Sequence, residues 1–117
     1  MADKQRNYDL TYLEELSAGD SNFVKSIITQ FVAEAPNIIE KIKVYTEQRK
    51  WPELNYQVHK FASNLAFIGL HDIKDEISKV EASSKNLTDL AEIPAIVDII
   101  VQRCEIAINA LKKDFEL

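Results

Sequence analysis

Residues 57–70 read Gln57-Val58-His59-Lys60-Phe61-Ala62-Ser63-Asn64-Leu65-Ala66-Phe67-Ile68-Gly69-Leu70. Two patterns are superimposed there. Leu54, Val58, Phe61, Leu65 and Ile68 recur at spacings of four and three, the apolar stripe of an amphipathic helix. His59 lies off that stripe. At about 100° per residue, Asn55, Ala62, Ser63 and Ala66 all fall within roughly 60° of it on the helical wheel. The imidazole is thus set among small side chains, away from the centre of the buried face. A ring nitrogen is left open to a large partner. Gly69 supplies the helix stop.

The same period organises the chain on either side. Towards the N-terminus, Asp9 can cap a short helix bearing Leu10, Leu13 and Leu16. Gly19 ends it, and Asp20 or Ser21 caps a long helix. Val24, Ile27, Phe31, Ala35, Ile38, Ile42 and Tyr45 keep one face of that helix apolar across about six turns. Pro36 removes one backbone bond, to the carbonyl of Val32, and predicts a kink rather than a break. Trp51-Pro52 marks a corner into the His59 helix, with proline in a first turn where its missing N–H costs nothing.

Towards the C-terminus, Asp72 can cap a fourth helix with the stripe Ile73, Ile77, Val80, Ser84 and Leu87. Residues 86–89 form a loop. Pro94 opens a last helix with Ile93, Val97, Ile100, Cys104, Ala107 and Leu111 on one face, widened by Ile96, Ile108 and Phe115. No alternating strand pattern of useful length, internal repeat or low-complexity tract interrupts this order. The expectation is one all-α domain over residues 1–117, with 1–7 as a flexible polar leader. Four antiparallel helices pack up-down-up-down, and the short first helix caps one end.

Composition narrows the class. The chain has 117 residues, 46% of them apolar, which suits one globular domain with a single core. Two glycines and three prolines imply few turns and long helices. A net charge of −5 argues against nucleic-acid binding, which favours basic surfaces. Cys104 is alone, so no internal disulfide forms, and its place in an apolar stripe predicts a buried structural thiol in an intracellular protein. The polar N-terminus does not read as a signal peptide, and no apolar run approaches the roughly 20 residues that span a bilayer.

The residues around His59 resemble the histidine-phosphotransfer (HPt) domain of two-component phosphorelays. That family carries a motif of the form His-x-x-Lys-Gly-x-x-x-x-(Leu/Ile)-Gly on the second helix of a four-helix bundle. His59 matches the phosphoacceptor, and Ile68 and Gly69 match the closing pair. Ser63 is small where the family usually has glycine, and Ala62 stands where it usually has lysine. The order and length of the helices extend the resemblance from about Tyr8 to the C-terminus.

The resemblance implies a cytoplasmic, monomeric phosphocarrier rather than a self-sufficient enzyme. His59 would take a phosphoryl group from one receiver-domain aspartate and return it to another. The partners are response-regulator receivers or a hybrid sensor kinase, with no nucleic acid and no membrane insertion. The chain itself needs no cofactor and no metal, because the receiver brings the Mg²⁺. Asn55, Ala62, Ser63, Ala66 and Phe67 form the expected docking face. Lys85, one turn after Glu81, and Lys60 are candidate substitutes for the missing family lysine. Glu81 beside a phosphohistidine is unfavourable unless it pairs with Lys85 at i,i+4.

The alternative is an HPt-like adaptor that docks receivers without transfer, which Ala62 and Ser63 favour. Other chemistries lack their residues. Neither His59 nor His71 has a glutamate three positions before it, as a carboxylate-bridged metal bundle requires. No Gly-x-Ser-x-Gly or Cys/His constellation marks a hydrolase. His71, following Gly69-Leu70, reads as a turn or capping residue, with a second acceptor or metal ligand as its functional alternative.

Overall fold

The computed structural model describes residues 7–117. Among them the chain forms five α-helices and no strand. These are α1 (Thr11–Leu16), α2 (Ser21–Glu47), α3 (Trp51–Phe67), α4 (Lys74–Asn86) and α5 (Ile93–Asp114), with single 3-10 turns at His71–Ile73 and Leu90–Glu92. None of the described helices is long and apolar enough to cross a membrane. Of the expected leader, residues 1–6 lie outside the described residues. Asn7 is not part of a free leader, because its Nδ2 donates to the Arg103 carbonyl on α5 at 2.9 Å.

The helix starts follow local chemistry. The Asp20 carboxylate accepts from the N–H groups of Asn22 and Phe23 at 3.0 and 3.2 Å, which satisfies two orphan donors of α2. The Asp9 carboxylate accepts from the Thr11 hydroxyl at 2.7 Å and the Thr11 N–H at 3.0 Å. These two bonds hold its carboxyl below the usual carboxylate range. Pro52 and Pro94 occupy the opening turns of α3 and α5. α2 runs unbroken through Pro36. Asp72 does not cap α4. It sits in the 3-10 turn before it, 3.6 Å from the Arg103 guanidinium.

The helix ends share one device. After each of the five helices a residue takes positive φ: Ala18, Arg49, Gly69, Leu87 and Glu116. The next N–H then reaches back to a carbonyl of the last turn: Gly19 to Glu14, Lys50 to Tyr45, Leu70 to Leu65, Thr88 to Ser83, Leu117 to Lys112. This is the Schellman closure, which usually recruits glycine. Of these five only Gly69 is glycine, although Gly19, which follows Ala18, also takes positive φ. The backbone of Asp9 crosses directly over Gly69, and the Asp9 N–H donates to the Ile68 carbonyl at 3.0 Å. A Cβ at Gly69 would overlap the Asp9 carbonyl.

The core joins the buried stripes. α2 packs on α3 and α5, α4 also packs on α3 and α5, and α1 lies against α2. The stripe Leu54, Val58, Phe61, Leu65 and Ile68 of α3 is buried throughout, and Phe61 stacks on Phe31 of α2 with ring centroids 6.2 Å apart. Every expected core position of α5 from Ile93 to Leu111 is buried except Ile96, which, like Phe115 at the other end of the helix, is half-buried at the edge of the core.

On α2 the expected Val24, Phe31, Ala35 and Ile42 are buried, and the other three expected positions give way to their neighbours. Ile28, Ile39 and Thr46 are buried, while Ile27, Ile38 and Tyr45 are half-buried at the margin. The helix is flanked by both α3 and α5, which widens its buried arc beyond the narrow stripe. Leu16 and Leu87 are not core: they are 52% and 60% exposed. Leu16 ends a helix of only six residues, and Leu87 is the left-handed residue after α4. Cys104 is buried, and loss of solvation pushes its thiol up to about 12.

Two outcomes test this packing. Gly69→Ala adds left-handed strain of about 1 kcal/mol and displaces the Asp9 bond, worth about another 1 kcal/mol. In Gly19→Ala the new Cβ meets nothing, so it costs only the strain. Urea unfolding of the two variants should separate by that second term. Cys104 should resist iodoacetamide in the folded protein at pH 8 and react once urea unfolds it, as mass spectrometry would show.

Candidate functional site

The site is set by how α4 lies against α3. Asn55, near the start of α3, is half-buried. Its Nδ2 donates to the Glu81 carbonyl at 2.8 Å and to Ser84 Oγ at 3.2 Å. One turn further along α3, His59 meets the Glu81 side chain. Two turns on again, Ala66 faces Lys74, Ile77 and Ser78 across a groove. Residue numbers rise along α3 as they fall along α4, so this pair is antiparallel. The register is pinned at Asn55.

His59 is exposed, as its offset from the apolar stripe predicts: its side chain is 77% accessible, against 32% for Glu81. Nδ1 pairs with Glu81 Oε1. A carboxylate only accepts, so in the neutral ring the shared proton is assigned to Nδ1. Nε2 then carries the lone pair, and among the described residues it has no partner. The arrangement is an aimed, solvent-facing nitrogen nucleophile with an acid side chain behind it. It can accept an electrophile at Nε2 while Glu81 faces the positive charge that develops on the ring.

The surround is divided more sharply than the sequence suggests. Ala62 is half-buried, Ser63 and Ala66 are exposed, and Ala62 and Ala66 line the groove between α3 and α4. Phe67 belongs to the other flank. It is 39% exposed, lines a groove with Ile27, Gln30 and Glu34 of α2, and stacks on Tyr12 of α1 with ring centroids 6.1 Å apart. Asn55 is committed to α4 rather than free to meet a partner.

The cations are also placed. Lys60 lies back along its own helix, its Nζ 5.8 Å from the ring centroid of Tyr56 one turn earlier on α3. Lys85 is exposed one turn beyond Glu81 and enters no ion pair among the described residues. The Glu81–Lys85 pair that would have offset Glu81 is absent among the described residues, because Glu81 is held by His59 instead. His71 opens the 3-10 turn after α3, at the far end of the groove from Glu81. Among the described residues no group of three or more His, Cys, Asp or Glu side chains is placed to hold a metal ion.

Glu81 is the site residue that sequence reasoning misjudged. Its own helix offers Lys85 at i+4, and that local pairing hides the partner on α3. The available signal was Asn55, a polar residue one turn before His59, whose burial fixes which α4 residue faces the imidazole.

In wild-type protein, the ¹⁵N spectrum of neutral His59 should show a predominant Nδ1–H tautomer. Glu81→Ala should remove that bias and leave the fold intact, since an exposed pair is worth about 0–1 kcal/mol. An unchanged tautomer ratio would rule out Glu81 as the group that orients the ring.

Comparison of the chain with protein-family models, with curated proteins and with solved structures finds no match.

Proposed function

We propose that this protein is a histidine phosphocarrier of the HPt type, exchanging a phosphoryl group between His59 and the aspartates of receiver domains. The observation that carries the reading is the exposed His59, its Nδ1 tied to Glu81 and its Nε2 free, standing over Ala62, Ser63 and Ala66. In the forward step Nε2 attacks the phosphorus of an aspartyl phosphate. The P–N bond forms as the P–O bond to the aspartate breaks, and the aspartate leaves as a carboxylate. Nδ1–H keeps its proton, and Glu81 offsets the charge on the phosphorylated ring. The return step reverses these events onto a second aspartate. The Mg²⁺ that neutralises the phosphoryl oxygens is expected on the receiver, not on this chain.

The proposed architecture is the antiparallel four-helix bundle of α2 to α5 with α1 across one end. The ring of contacts through α2, α3, α4 and α5 supports it. The antiparallel α3–α4 pair supports it too. The receiver is proposed to cover His59 together with the exposed Phe67 and the Tyr12 ring stacked on it. Exposed apolar side chains of this kind suit a transient partner. The carrier is proposed to act as a cytoplasmic monomer.

The second reading, an adaptor that docks receivers without transfer, rests on one residue. Ala62 leaves the acceptor without the cation that a lysine one turn away provides. Near an exposed imidazole such a charge is worth about 0–1 kcal/mol, up to a fivefold effect, which leaves transfer intact but the phosphoryl group less firmly held.

The tests are direct. His59→Gln should abolish labelling by a phosphorylated receiver at a stability cost within about 0.5 kcal/mol, and His71→Gln should not. Ala62→Lys should lengthen the phosphohistidine lifetime or speed transfer by a few-fold, and Lys85→Ala should do the reverse. Label retained in His59→Gln would refute the site. A wild type that never transfers, restored by Ala62→Lys, would establish the adaptor.

A further inference from the structure

The groove between α3 and α4 has a chemistry that phosphotransfer does not use. Its floor is apolar, with buried Leu65, Leu70 and Ile77, and its α3 wall is Ala62 and Ala66, which project nothing beyond Cβ. It encloses about 340 Å³, within the range of small-molecule clefts.

The rim is polarised. His71 and Lys74 stand at one end, Ser78 midway, and Glu81 at the other. Lys74 and Glu81 are two helical turns apart, about 10 Å. Lys74 enters no ion pair among the described residues. The acids nearest in sequence do not neutralise this end. Asp75 and Glu76 fall about 100° and 160° round α4 from Lys74, and Asp72 faces Arg103. Asp9, kept ionised by the Thr11 N–H and hydroxyl, lies close enough to feel His71, so the counter-charge at this end rests on Lys74 and His71 contributes a ring N–H.

We infer that this groove binds a small amphiphilic monocarboxylate, with its carboxylate at Lys74 and His71 and its apolar body lying along Ala66 and Ile77 towards Glu81. The apolar floor selects against a ligand hydrated along its length. The cationic end supplies the counter-charge. Glu81 repels a second anionic end, so dicarboxylates are excluded and the orientation is fixed. The site needs no phosphoryl chemistry and stands whether or not His59 is an acceptor.

The test titrates the full chain with 4-phenylbutyrate and follows amide shifts by ¹H–¹⁵N NMR, with 4-phenylbutanol and suberate as the neutral and dianionic comparisons. The expected result is saturable shifts at Ala62, Ala66, Lys74 and Ser78. The alcohol should bind about fivefold more weakly, and suberate should not saturate. Lys74→Glu, an exposed change that spares the core, should weaken 4-phenylbutyrate by at least about fivefold. Ala66→Leu, which fills the groove without altering its charge, should abolish binding with the rest of the spectrum unmoved. Equal affinity for acid and alcohol, an unaffected Lys74→Glu variant, shifts centred on Gln30 and Asn64 instead, or no saturation at all would each overturn the inference. His59→Gln protein gives the same titration if the inference holds, so this result and the phosphotransfer result are separable.

Discussion

The contact on which the site depends is the pair of bonds from Asn55 Nδ2 to the Glu81 carbonyl and Ser84 Oγ. A half-buried amide must satisfy its donors, and α4 provides the acceptors. Meeting that requirement fixes the axial register of α4 on α3. From that register follow the placing of Glu81 against His59 and the placing of Ser78 and Ile77 opposite Ala66. Hydrophobic burial alone would not specify it as sharply. Ile73, Ile77 and Val80 present similar apolar surface at neighbouring positions, and a stripe of like residues tolerates sliding. Ser84, itself buried and donating to the Val80 carbonyl, completes the polar tie within the core.

Much of the fold was legible because buried stripes repeat with the helical period. The α3 and α5 stripes were read residue by residue, since both helices are long and each is apolar along one dominant arc. The stripe of α2 was read at its centre through Val24, Phe31, Ala35 and Ile42 and at its margin through Ile27, Ile38 and Tyr45, because a helix flanked by two neighbours buries an arc wider than one stripe. The ends were harder. Gly19 and Gly69 announce two of them, but Arg49 and Leu87 hold the left-handed position with side chains that carry no such signal. Leu87 therefore looked like one more core residue. Its exposure follows from chain geometry, not from its hydrophobicity.

The site was legible in one half. His59 and its small neighbours Ala62, Ser63 and Ala66 lie on one helix, and helical angles place them. Glu81 lies on another helix, and its role depends on a register that no local pattern states. The same limit explains Phe67. Its angle on α3 was read, but its partner Tyr12 comes from α1 and reaches it only because the Asp9 backbone is anchored over Gly69.

The row Ala62, Ser63 and Ala66 has an entropic consequence. A side chain with many rotamers loses up to about 2 kcal/mol of freedom when it is immobilised, whereas alanine loses nothing. Any molecule that covers this row therefore freezes almost no motion on the protein's side of the contact. A lysine at position 62 would add a charge and, with it, four rotatable bonds to be stilled at each encounter. Alanine forgoes the charge and keeps a surface that is already in its bound conformation. Contacts formed over it are set by shape and water release, and they can form and dissolve without the chain having to reorganise.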